Sequence, residues 1–134
     1  MEKTKLIIKK NIDDEKPMMD LKEIINNGIN LMTDYHKHGE ECFETCSNAQ
    51  INSVGGLIGY SNDPETAVKI KNYNPHKYDL IRKLTESNNK SLRKIGDPEV
   101  TVHEKRKTLQ KTNVGESVFK IIKDLILPYM ANMK

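Results

Sequence analysis

Residues 114–130 read VGESVFKIIKDLILPYM. Val114, Val118, Ile121, Ile122, Leu125 and Ile126 recur at three- and four-residue intervals, Phe119 widens the stripe, and Lys120, Lys123 and Asp124 mark the opposite side. That is the period of an amphipathic α-helix, and it sets the expected fold class as mainly α. Asn113 with Glu116 three residues on has the capping-box spacing, so the helix is expected to begin there. Pro128 should end or kink it. The stripe Val118, Phe119, Ile121, Ile122, Leu125 and Ile126 is expected to meet a protein partner or, less favoured, a membrane. Its alternative is to be an internal element of a small helical bundle.

The stretch just before it, VTVHEKRKTLQK over residues 100–111, is basic. Thr101 and Glu104 again have capping-box spacing, so a short helix should begin at Thr101 with Val102 and Leu109 as its apolar anchors. Lys105, Arg106, Lys107 and Lys111, with Arg93 and Lys94 upstream, are the candidate nucleic-acid contacts. Each phosphate such a cluster neutralises steepens the salt dependence of binding. Aromatic residues able to stack on bases (Tyr73, Tyr78, Phe119) are scattered, which favours backbone contact over reading of single-strand sequence. The competing reading is that these cations only solvate helix surfaces.

Further upstream, Asn74-Pro75 has the form of an N-cap followed by a first-turn proline. Tyr78, Ile81, Leu84, Leu92 and Ile95 follow it, with a polar interruption over residues 86–90 and a stop at Gly96-Asp97-Pro98. Another amphipathic helix is expected from Pro17 through Met18, Leu21, Ile24, Ile25, Ile29 and Met32, running on toward Cys46 with a break at Gly39. Between them, residues 47–73 show no helical period and are rich in Ser, Asn and Gly, so they are expected to be a flexible connector. Gly55, Gly56 and Gly59 match neither the dinucleotide fingerprint nor the Walker pattern. Residues 1–16 are expected to be a loose charged arm in which TKLIIKK has no evident hairpin mate. The expected organisation is thus an arm (1–16), a helical segment (17–46), a connector (47–73) and a basic helical region ending in the apolar helix (74–134), with three or four amphipathic helices in all.

The 134 residues amount to one domain's worth of chain. They are 36% apolar and 31% charged, with no Trp, so a modest core and partner-dependent folding are both compatible with the composition. The net charge of +3 hides an asymmetry: residues 1–68 sum to −5 and residues 69–134 to +8. A basic half is the electrostatic footprint of phosphate binding. Abundant Lys, Asn and Ile suggest an AT-rich coding genome, as in many viruses and mobile elements. The apolar core of the N-terminus (Leu6, Ile7, Ile8) is well short of the roughly 7–15 residues of a secretory h-region. No run approaches the roughly 18 apolar residues of a membrane span. An intracellular or virion location is expected, with Cys42 and Cys46 as reduced thiols.

His36, His38, Cys42 and Cys46 are the sharpest metal candidates, since imidazole and thiolate are what zinc prefers. On a helix, His38, Cys42 and Cys46 lie at successive i, i+4 positions and span about 12 Å, too far for one tetrahedral ion. No second ligand pair occurs elsewhere, so no metal and no cofactor is expected, and the cysteines read as small semi-buried thiols. Nothing marks a group that would orient a histidine base beside a cysteine nucleophile. No catalytic residue is assigned, and a non-enzymatic protein is expected.

Two resemblances bear on function. Residues 92–128, LRKIGDPEVTVHEKRKTLQKTNVGESVFKIIKDLILP, resemble the C-terminal region of small basic virion and core proteins of Maverick/Polinton-type elements and adenovirus-like viruses. The pattern falls on Arg93, Ile95 and Asp97, then Lys105, Arg106, Lys107 and Leu109, then Gly115, then Ile121 to Pro128. It implies a core or minor capsid role. NPHKYDLIRKLTESNNKSLRKI and LKEIINNGINLMTDYHKHGEECF resemble the hairpin helices of small terminase subunits of tailed phages, whose ring regulates genome packaging. Both resemblances imply DNA, capsid or packaging proteins and further copies of the chain as partners. The expected function is therefore a small DNA-binding or virion-assembly protein, the alternative being a helical protein-interaction module without nucleic acid.

Overall fold

In the computed structural model of the chain, the described residues are 5–6 and 19–132. The proposed arm and the expected helix start at Pro17 lie outside them, apart from one short pairing. Strand β1 (Lys5–Leu6) pairs antiparallel with β2 (Met19–Asp20), Lys5 opposite Asp20 and Leu6 opposite Met19. Lys5–Leu6, inside TKLIIKK, therefore has a mate at the threshold of the first helix.

The protein is mainly α. Helix α1 (Leu21–His38) starts where the Asp20 carboxylate accepts the Glu23 N–H at 2.9 Å. It stops at Gly39, whose φ of +67° is a backbone conformation side chains resist. A 3-10 turn (Gly39–Glu41) leads into the single-turn α2 (Cys42–Thr45). The helical run toward Cys46 with a break at Gly39 is thus what the chain adopts.

Residues 47–73 correct the sequence reading. They form two helices, α3 (Asn48–Asn62) and α4 (Pro64–Tyr73). Ser47 and Gln50 make a reciprocal capping box at 3.1 and 3.0 Å. Asp63 caps α4, accepting the Thr66 N–H at 3.1 Å, with Pro64 in the first turn. The helical period of α3 vanishes because nearly every side is covered: Ile51, Asn52, Ser53, Val54, Gly55, Leu57, Ile58 and Ser61 are all buried. It is the centre of the domain, packed between α1 and the later helices.

Its glycines make that position reachable. A methyl at Gly59 would lie 2.6 Å from the Gly96 carbonyl oxygen, and one at Gly96 would lie 2.9 Å from the Gly59 backbone. The two helix backbones touch, so a side chain at either site would force them apart.

Helix α5 (Pro75–Thr85) begins with the Asn74 cap on the Lys77 N–H at 3.1 Å, as the sequence suggests. A 3-10 turn (Glu86–Asn88) occupies the polar interruption, and α6 (Asn89–Gly96) follows. Helix α7 (Val102–Leu109) starts at Thr101, whose hydroxyl accepts the Glu104 N–H at 3.2 Å. Helix α8 (Thr112–Ile121) begins earlier than expected, at Lys111 without a side-chain cap. Asn113 is already helical, and its carbonyl instead accepts from the Asn88 carboxamide at 3.2 Å.

Pro128 neither ends the last helix nor breaks it. A π-turn (Ile122–Ile126) widens the coil, the Leu127 N–H reaching back to the Ile122 carbonyl, and α9 (Leu127–Asn132) continues. The next rung of that ladder would need an N–H at residue 128, which proline lacks, and the wider turn relieves its ring from the preceding carbonyl. Among the described residues the helices are shorter and more numerous than the three or four expected.

Candidate nucleic-acid interface

The six candidate cations sit on or beside α6 and α7. Successive helix positions are rotated by about 100°, so neighbours in sequence point to different places. Lys105, Arg106 and Lys107 show this fully.

Lys105 is a correction. It is 2% exposed, facing α3 where Gly55 leaves room. A methyl at position 55 would stand 3.1 Å from its Nζ. Burial pushes its ammonium down from 10.5 to about 8, with Asp97 partly opposing the drop. It cannot reach a phosphate at the surface.

Arg106 is the second correction, because three of its five donors are already engaged inside the protein. Nη1 donates to the Phe43 carbonyl at 2.9 Å and the Cys46 carbonyl at 2.8 Å, and Nη2 to Asn48 Oδ1 at 2.7 Å. The guanidinium fork thus ties α7 to the end of α2 and the start of α3. Nη1 also lies 3.4 Å from the Cys46 sulfur.

Lys107, Lys111, Arg93 and Lys94 are exposed, as the surface reading requires. Lys94 donates to Glu104 at 2.9 Å across the α6–α7 gap, and that hydrogen bond holds the Glu104 carboxyl below its usual range. Lys90, one turn before Lys94 on α6, is exposed too and joins the set although the sequence reading omitted it. The i, i+4 spacing of Lys90 and Lys94 was the available signal.

The apolar stripe of the last helix is a third correction. Val118, Ile121, Ile122 and Ile126 are fully buried and Leu125 nearly so, packed against α3 and α5. Phe119 is half-buried, its ring centroid 5.1 Å from that of Tyr35 and 6.2 Å from that of His36. The stripe is the domain's own core and offers no docking face. Burying the five covered side chains is worth several kcal/mol of folding free energy. No helix among the described residues is long and apolar enough to cross a membrane.

The thiols lie close by, Cys46 against Arg106. His38, Cys42 and Cys46 share a cleft of about 430 Å³ with Asp34, Glu41 and Glu44. No group of three or more His, Cys, Asp or Glu among the described residues is placed to hold a metal ion. Burial, then Cys46 and Asp34, push the Cys42 thiol up to about 12. Burial also raises Cys46, against the opposing pull of Arg106. Both shifts disfavour the thiolate that a cysteine nucleophile would need.

Comparison with protein-family models, with curated proteins and with solved structures finds no match.

Proposed function

We propose that the chain is a small non-enzymatic protein that binds the phosphate backbone of DNA, of the kind a virus or mobile element uses to build a virion core or package its genome. The carrying observation is the basic surface left after Lys105 and Arg106 are set aside: Lys90, Arg93 and Lys94 on α6, with Lys107 and Lys111 on and just after α7. The resemblances of the α5–α8 region point the same way, and they add capsid or packaging proteins and further copies of the chain as partners.

Five phosphate contacts imply a salt slope near −4.5, so affinity for duplex DNA should fall on the order of 10²–10³-fold between about 50 and 200 mM salt. The combined variant Arg93→Ala/Lys107→Ala/Lys111→Ala should flatten that slope by roughly 2.7. Lys105→Met should leave it unchanged. No binding at the lower salt, or a slope indifferent to the triple variant, overturns the reading.

One observation favours protein docking instead. Leu80 and Leu84, one turn apart on α5, are 49% and 56% exposed. Salt-tolerant capture of a partner, lost in Leu80→Asp, would support that alternative over DNA.

A further inference from the structure

Where α4 ends and α5 begins, with the π-turn behind them, the surface is indented by a notch of about 200 Å³. Ile70, Leu125 and Pro128 make an apolar floor. Tyr73 stands at its side, its ring edge-on to Tyr129 with centroids 6.0 Å apart. Lys77 and Asp124 also line it and are not paired with each other; among the described residues Asp124 has a loose contact with Lys123 at 3.9 Å. The Asn74 carboxamide oxygen is taken by the Lys77 N–H of the α5 cap, which leaves the amino end of that side chain as a donor.

Three features converge here. Opposite charges share one small concavity without neutralising each other. An apolar floor lies with them. The wall itself is a π-turn, a local coil that recurs at ligand sites. The volume is below the roughly 300–1,000 Å³ of drug-sized sites, so the occupant must be small.

We propose that this notch binds a free α-amino acid, a zwitterion with an apolar side chain of about leucine size. Asp124 receives the ammonium group. Lys77 and the Asn74 amide receive the carboxylate. The side chain lies on Pro128 against the Tyr73 ring, the lining residues with apolar surface left open. This inference is independent of the nucleic-acid reading.

The test is a heteronuclear NMR titration of the full chain with L-leucine and L-phenylalanine up to about 10 mM, a weak-binding range. 3-Methylbutylamine, lacking the carboxylate, and 4-methylpentanoate, lacking the amine, serve as single-charge probes. The expected result is saturable shifts confined to residues 70–77 and 122–128, with each single-charge probe at least about tenfold weaker. Lys77→Met should abolish the preference for leucine over the amine, and Asp124→Asn the preference over the acid. Unchanged resonances elsewhere in each variant establish that it is folded. No saturation with either amino acid, equal binding of the single-charge probes, or indifference to both variants overturns the proposal.

Discussion

Replacing Lys105 with methionine should stabilise this protein, and by an amount that depends on pH. The ammonium is 2% exposed and makes no hydrogen bond or ion pair among the described residues, and burial lowers its pKa from 10.5 to about 8. At about 1.4 kcal/mol per tenfold change in proton affinity, that drop corresponds to ~3 kcal/mol of stability lost whenever the group must be charged in the folded state. The sign follows from proton counts. Between pH 8 and 10.5 the unfolded chain holds the proton more tightly than the folded one, so this residue's contribution improves as pH rises. The cost is full below about pH 8 and gone above 10.5. Methionine keeps nearly the same length and volume over Gly55, and Asp97, the opposing carboxylate, is exposed and is not stranded by the change. Urea unfolding at pH 7 should therefore show Lys105→Met more stable by ~3 kcal/mol, with the gap closing toward pH 10.5. Cys42, Cys46, Tyr35 and Tyr60 have raised pKa values and weaken the fold at alkaline pH, but they do so in both proteins and cancel in the difference. A variant no more stable than the parent at pH 7, or a gap that stays constant with pH, refutes the assignment of a buried, strained charge.

Two further outcomes follow from the packing. Gly59→Ala should lower stability by about 1–3 kcal/mol despite the better helix propensity of alanine, because the new methyl meets the Gly96 carbonyl at 2.6 Å; a thermal melt unchanged or raised would show that α3 and α6 are not in backbone contact. Arg106→Lys should cost about 2 kcal/mol, since a single ammonium cannot serve the Phe43 and Cys46 carbonyls and Asn48 together; a loss below about 0.5 kcal/mol in urea unfolding would demote that junction to a surface contact.

Where one face meets water and the other the core, the sequence was legible. The stops at Gly39 and after Ile95 and the caps at Asn74 and Thr101 appear where the residue types require them, whereas the polar residues 86–90, read as the exposed middle of one helix, divide it into α5 and α6. The central helix was not legible, because amphipathic period is a signal of half-burial and α3 is buried nearly all round. Its Ser, Asn and Gly look like a loop only while their role in close helix contact is unknown. Two local signals were nonetheless present: Ser47 with Gln50 at capping-box spacing, and Gly55 with Gly59 one helical turn apart. The basic cluster failed for a different reason. Formal charge is additive along a sequence, but burial is decided residue by residue around a helix, so Lys105 turns inward, Arg106 sideways and Lys107 outward. The apolar stripe of the last helix gave the correct element and the wrong neighbour, since periodicity shows that a face must be covered without showing by what.

The contact between Gly59 and Gly96 also has a consequence in time. On the ribosome, Gly59 of α3 emerges 37 residues before the glycine that completes its groove. At about 5–20 residues per second its most apolar helix waits roughly 2–7 s for that cover. Its first packing partner is α1, already made, whose Gly28 admits Leu57. During that interval α1 is the one neighbour that the order of synthesis makes available to α3, and the α6-facing flank with Gly59 stays without its cover.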